Sequence, residues 1–146
     1  MYLEAYGNEQ QYTASIEDNM NEDKLVLIID DEEPVREAVA DILELEGVLS
    51  LAAANGHEGL ALYSENQAKI DVVLLDLSMP GLSGMETLTR LHEIDPEVQV
   101  VLSSGYSEHD ARRRFQSIGF AGFIQKPYDI QTFINEMKRH FSPTPV

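Results

Sequence analysis

The run Leu25-Val26-Leu27-Ile28-Ile29 carries no polar residue and ends abruptly in Asp30-Asp31-Glu32-Glu33. Consecutive apolar residues without alternation are expected of a strand buried on both faces, as in the interior of a parallel sheet. Pro34 suits a first helical turn, and Val35, Val39, Ile42 and Leu43 recur at helical spacing until Gly47. The same unit returns along the chain. Val48 to Ala53 reads as a strand and Gly56 to Glu65 as a short helix. Val72 to Leu75 is a strand ending at Asp76, followed by a helix over Met85 to Ile94 and then Pro96. Val98 to Leu102 ends in Ser103-Ser104-Gly105, and Glu108 to Ile118 is helical up to Gly119, where a left-handed cap is accessible. Phe120 to Ile124 precedes Gln125-Lys126-Pro127, and Ile130 to Phe141 closes the chain as an amphipathic helix. Strands alternating with helices imply a three-layer α/β sandwich, because right-handed crossovers place helices on both faces of a parallel sheet.

Composition fits one folded body with extensions. Residues 1–23 hold Glu4, Glu9, Glu17, Asp18, Glu22 and Asp23 with no Lys or Arg, and few apolar residues. They read as an acidic flexible tail or linker. The body is expected over 24–141, with 142–146 as a C-terminal tail. Without cysteine, thiol nucleophiles, disulfides and Cys-ligated metals are excluded. A net charge of -16 opposes binding to nucleic acid or anionic membranes. No apolar run approaches the roughly 20 residues of a membrane helix. The start, Met1 to Tyr6, lacks the positive residues and long apolar centre of a secretory leader, so a cytoplasmic location is expected.

In open parallel sheets the ligand lies beyond the carboxyl ends of the strands, near the switch in strand order. Those ends carry Asp30, Asp31, Asp76, Ser103, Ser104 and Lys126. Converging carboxylates repel one another unless a cation compensates. A hard divalent ion fits, and Mg²⁺ is the usual choice where phosphate completes the shell. Lys126 offers a point charge to a phosphoryl oxygen. Each residue also has a plainer explanation: Asp30-Asp31 as a helix cap, the serines as turn formers, Lys126 as a surface lysine. Only their combination favours a Mg²⁺-phosphoryl site. Arg112-Arg113-Arg114 spans most of a helical turn, so it reads as a solvated face with one or two members pairing nearby acids. Tyr106, Phe115, Phe120, Phe123, Tyr128 and Phe133 read mostly as packing. The histidines His57, His92, His109 and His140 show no metal-ligand spacing.

Four segments carry a resemblance: Leu25 to Glu32, Asp71 to Gly84 (Asp-Val-Val-Leu-Leu-Asp-Leu-Ser-Met-Pro-Gly-Leu-Ser-Gly), Ser103 to Tyr106, and Gln125 to Pro127. Together, in order from about Lys24 to Phe141, they resemble the receiver domain of two-component response regulators. The resemblance implies a flavodoxin-like (βα)5 fold with strand order 2-1-3-4-5. It implies that Asp76 is the phosphoacceptor and also a Mg²⁺ ligand, that Asp31 binds Mg²⁺ directly with Asp30 assisting, and that the Ser78 carbonyl completes the protein's share of the shell. Lys126 would contact the phosphoryl group, with a cis peptide to Pro127. Ser104 takes the switch hydroxyl position, with Ser103 the near alternative, and Phe123 the aromatic switch position. The implied donor is a histidine kinase or histidine phosphotransfer protein. The face of the fourth helix, fifth strand and fifth helix would report the change and offers a surface for a receiver homodimer.

Such a domain is a switch that phosphorylates and dephosphorylates itself, not a separate enzyme. The aspartate-nucleophile phosphatases require a second acid two residues after the nucleophile, where this chain has Ser78. A flavodoxin-type carrier needs a Ser, Thr and Gly-rich first loop, whereas Asp30 to Glu33 would repel phosphate. A non-phosphorylated interaction module is the remaining alternative. Met1 to Tyr6 resembles the last strand of a histidine-kinase ATP-binding domain, which implies the C-terminal receiver of a hybrid sensor kinase.

Overall fold

The structure is a computed structural model that describes residues 24–79, 83–115 and 117–141. The expected tails over 1–23 and 142–146, and Pro80 to Leu82 of the quoted motif, lie outside the described residues. Among the described residues five strands alternate with five helices: β1 (Leu25–Ile29), α1 (Glu33–Leu45), β2 (Leu49–Ala53), α2 (Gly56–Asn66), β3 (Val72–Asp76), α3 (Gly84–Ile94), β4 (Val100–Ser104), α4 (Glu108–Phe115), β5 (Gly122–Gln125) and α5 (Ile130–Lys138). All strand pairs are parallel, in the order β2-β1-β3-β4-β5. The three-layer sandwich and its strand order are therefore as the sequence implies.

Strand alternation divides the core. Val26 and Ile28 of β1 point to one side with Val72 and Leu74, where Val39 and Leu43 of α1 and Phe133 and Met137 of α5 cover them. Leu27 and Ile29 point to the other, with Val73 and Leu75, beneath Tyr63 of α2, Leu88 and Leu91 of α3 and Phe115 of α4. β1 and β3 are thus buried on both faces, which explains their unbroken apolar sequences.

Several boundaries differ from the sequence reading, each for a local reason. β4 runs from Val100 to Ser104, not Val98 to Leu102. Val98 closes a turn by donating its N–H to the Asp95 carbonyl, while both serines remain in the ladder. β5 begins at Gly122, because Phe120 leaves the sheet and lies under the Arg112 guanidinium. α4 ends at Phe115, where the N–H groups of Ile118 and Gly119 both return to the Phe115 carbonyl and Gly119 takes φ +89°. α5 ends at Lys138, after which His140 and Phe141 bond three residues back and tighten the last turn. β2 is also shorter by one residue, since Val48 donates to Leu43 and completes the turn after α1.

The register aligns the strand ends. Ile29 lies beside both Ala53 and Leu75, Asp76 beside Ser103, and Ser104 beside Gln125. One edge of the sheet therefore carries Asp30, Asp76, both serines and Lys126. The order reverses between β1 and β3, so Asp30 and Asp76 flank the crevice where open parallel sheets bind ligands.

Candidate functional site

Asp76 ends β3 and is 2% exposed, and Asp30, just past β1, is 4% exposed. Two buried carboxylates on adjacent strands need compensation, and Lys126 supplies it. Its Nζ stands 3.5 Å from Asp30 Oδ2 and 3.5 Å from Asp76 Oδ1. Asp76 Oδ1 also accepts the Ser78 backbone N–H at 3.1 Å. Burial pushes the Asp76 carboxyl above its ordinary value, with the Asp30 charge adding to it, against the Ser78 N–H and the Lys126 ammonium. For Lys126, burial favours the neutral amine, but the Asp76 and Asp30 carboxylates outweigh it and hold the ammonium above its ordinary value. Lys126 is thus a partly buried cation shared by two acids.

Asp30 is held at every polar atom. Its N–H donates to the Ala53 carbonyl, Oδ1 accepts the Glu32 N–H at 2.9 Å, Oδ2 faces Lys126, and its carbonyl accepts Arg36 Nη1 at 2.8 Å. The cap of α1 is Glu32, with no side-chain capping bond. Asp30 and Asp31 therefore do not act as the helix cap that their position allows. The carboxylate oxygens of Asp30, Asp31 and Glu32 instead lie within 4.8 Å of one another, Asp30 buried and the other two exposed. Hard oxygen donors gathered this way suit a Mg²⁺ ion. Glu32 and Arg36 received no role from the sequence. The available signal was a cation six residues after Asp30 in a chain with few cations.

The two serines of β4 face opposite sides of the sheet. Ser104 is fully buried. Its Oγ accepts the Tyr106 N–H at 2.9 Å, and its carbonyl accepts the Lys126 N–H at 2.7 Å. Ser103 is equally inaccessible, and its Oγ makes no hydrogen bond within normal geometry. It lies near the Tyr128 hydroxyl, which burial pushes up and the Lys126 charge pulls back, with Ser103 a smaller influence. Phe123 pairs with Leu102 and is half-buried against the core under α2, α3 and α4, on the same face as Ser104. The Lys126–Pro127 peptide is cis.

Of the arginine triplet, Arg112 pairs with Glu108 at 2.8 Å and Arg113 reaches Asp110 at 3.9 Å. The Arg114 guanidinium lies 4.5 Å from the centre of the Tyr106 ring. Tyr106, expected to be packing, is instead 44% exposed and takes its contact from this cation. His92 meets the Gly119 carbonyl and His140 meets Glu136, both as structural pairs.

The sequence profile described as the response regulator receiver domain matches residues 26–138. Sporulation initiation phosphotransferase F of Bacillus subtilis is 31% identical over 115 residues, which span 79% of this chain and 91% of that protein. Sensor kinase CckA of Brucella abortus is 29% identical over 113 residues, covering 77% of this chain but 12% of the kinase. Among solved structures, the CheX–CheY–BeF3–Mg²⁺ complex from Borrelia burgdorferi superposes with TM-score 0.73 at 27% identity, covering 80% of this chain and 87% of that one. With the parallel sheet, the buried acids and the bridging lysine at its carboxyl edge, these matches show that the chain belongs to the response regulator receiver domain family, the phosphoacceptor switches of two-component signalling.

Proposed function

We propose that Asp76 is the residue that accepts the phosphoryl group, with residues 24–141 forming the receiver unit and the flanking segments serving as linker and tail. The observation that carries this assignment is the buried Asp76 carboxylate against Lys126, which also reaches Asp30, one of three acids whose carboxylate oxygens gather at the same sheet edge. Phosphoryl transfer depends on positioning and charge neutralisation, and this arrangement provides both. An Asp76 oxygen attacks the phosphorus of a phosphohistidine, the P–N bond to the imidazole breaks, and the donor histidine leaves with the electron pair. Lys126 then turns its ammonium from Asp76 to a phosphoryl oxygen. Asp31 is the direct Mg²⁺ ligand with Asp30 its support, Asp76 is a further ligand, and the Ser78 carbonyl completes the protein's share. The bound ion would neutralise charge on the phosphoryl oxygens. Ser104 is the hydroxyl that moves to the new group, and Phe123 follows on the same face.

A histidine kinase or a histidine phosphotransfer protein is the donor, and the face of α4, β5 and α5 passes the change to a partner or a second copy. No helix among the described residues is long and apolar enough to cross a membrane. The cytoplasm, where such donors operate, is the proposed location. The resemblance of Met1 to Tyr6 to the end of a kinase ATP-binding domain supports a parent hybrid sensor kinase, which the reading frame upstream of Met1 would reveal. For the acceptor itself, incubation with acetyl phosphate and Mg²⁺ should add one phosphoryl group by intact mass. Asp76→Asn should remain unlabelled, and full labelling of that variant would place the nucleophile elsewhere.

A further inference from the structure

Arg36 stands on the first full turn of α1, with Glu32 and Glu33 four and three residues behind it. An arginine so placed ordinarily pairs with such acids along the helix surface. Here no carboxylate among the described residues takes the guanidinium. Nη1 instead donates to the Asp30 carbonyl at 2.8 Å. That carbonyl lies between two ladders, because β1 ends at Ile29 and the helical bonds of α1 begin from the Glu32 carbonyl. A half-buried backbone oxygen in this gap needs a donor from elsewhere.

The carbonyl of Asp30 and the N–H of Asp31 belong to one rigid peptide plane. Holding that oxygen fixes the direction in which Asp31 leaves the strand. The Asp31 side chain is exposed and makes no hydrogen bond or ion pair of its own with the described residues, so only its backbone sets its position. We propose that Arg36 is a positioning residue for the metal site, clamping the Asp30–Asp31 peptide so that the Asp31 carboxylate meets those of Asp30 and Glu32. This inference rests on Asp31 being the metal ligand.

Charge and position predict opposite outcomes. A guanidinium near a divalent ion repels it, so if Arg36 contributed charge alone, its removal would tighten Mg²⁺ binding. If it positions Asp31, removal weakens binding, by about tenfold where an outer-shell partner is lost. The test is a MgCl₂ titration followed by the backbone amide NMR shifts of residues 30–36, using the wild type, Arg36→Ala, Arg36→Gln, Arg36→Lys and Asp31→Asn. Arg36→Ala and Arg36→Gln should raise the Mg²⁺ dissociation constant about tenfold. Amide shifts of β4 and α5 should be unchanged, and Arg36→Lys should recover part of the loss. Wild-type or tighter Mg²⁺ binding in Arg36→Ala or Arg36→Gln overturns the proposal. Should Asp31→Asn lose Mg²⁺ binding while the Arg36 variants keep it, only the role of Arg36 falls. Wild-type binding by Asp31→Asn removes the ligand assignment and the role of Arg36 with it.

Discussion

As the proposed acceptor, Asp76 would have to be ionised to attack phosphorus, yet its burial favours the protonated acid. Lys126 and the Ser78 N–H resist that tendency without abolishing it, and the carboxyl stays above its ordinary value. The native protein therefore binds this proton more tightly than the unfolded chain does. By linkage, the contribution of Asp76 to stability is greatest in acid and falls as pH rises through the raised native value. Asp76→Asn removes the buried charge while preserving shape. Its melting temperature should exceed that of the wild type by a few degrees near neutral pH, and the gap should narrow towards about pH 4, close to the ordinary carboxylate value. Thermal melts of the two proteins across that range would check the sign. A gap that widens in acid would mean that Asp76 is stabilised as a carboxylate.

At the scale of elements, the start of α3, the helix that follows β3, is fixed by two devices. Ser83 and Glu86 form a reciprocal capping box, in which Ser83 Oγ accepts the Glu86 N–H at 3.1 Å and Glu86 Oε1 accepts the Ser83 N–H at 3.3 Å. Ser83→Ala should cost about 1 kcal/mol in denaturant melts. Gly84 admits a close approach, since a Cβ there would stand 2.8 Å from Leu77 Cδ2 and 2.9 Å from Leu77 Cα. Backbone cannot yield as a side chain does, so Gly84→Ala should cost about 1–3 kcal/mol despite alanine's better helix propensity. A neutral or stabilised Gly84→Ala protein would mean that Leu77 shifts to admit the methyl group. These contacts also mark where the sequence was legible. The apolar runs of β1 and β3 announced burial on both faces, and the residues after them announced the acidic edge. Strand ends were less readable at β4 and β5, because hydrophobicity does not distinguish a paired Ser103 from a looped one. Nor does it reveal that Phe120 leaves the sheet for Arg112. Arg36 and Glu32 escaped because their importance lies in a backbone oxygen and in convergence across a turn.

The whole molecule carries a net charge of -16, and its most concentrated acids face the ligand edge. That field attracts cations from beyond contact distance and is screened over about 8 Å at physiological salt. Apparent Mg²⁺ affinity should therefore fall as NaCl is raised from about 0.01 to 0.15 M, the range over which the screening length shortens most. Salt-independent titrations would confine the attraction to the immediate ligands. The all-parallel sheet has a further consequence during synthesis. β1 lies inside the sheet, yet both its neighbours follow later in the chain, and the edge facing β3 stays open until Val72 has been made. Through that interval Leu25 to Ile29 is a bare, uncharged, strand-forming segment of the kind that seeds aggregation between nascent chains. Asp30, Asp31, Glu32 and Glu33 emerge directly behind it and repel a second copy. The acids at the edge of the proposed site therefore first act as guards, keeping this interior strand available until its own neighbour arrives.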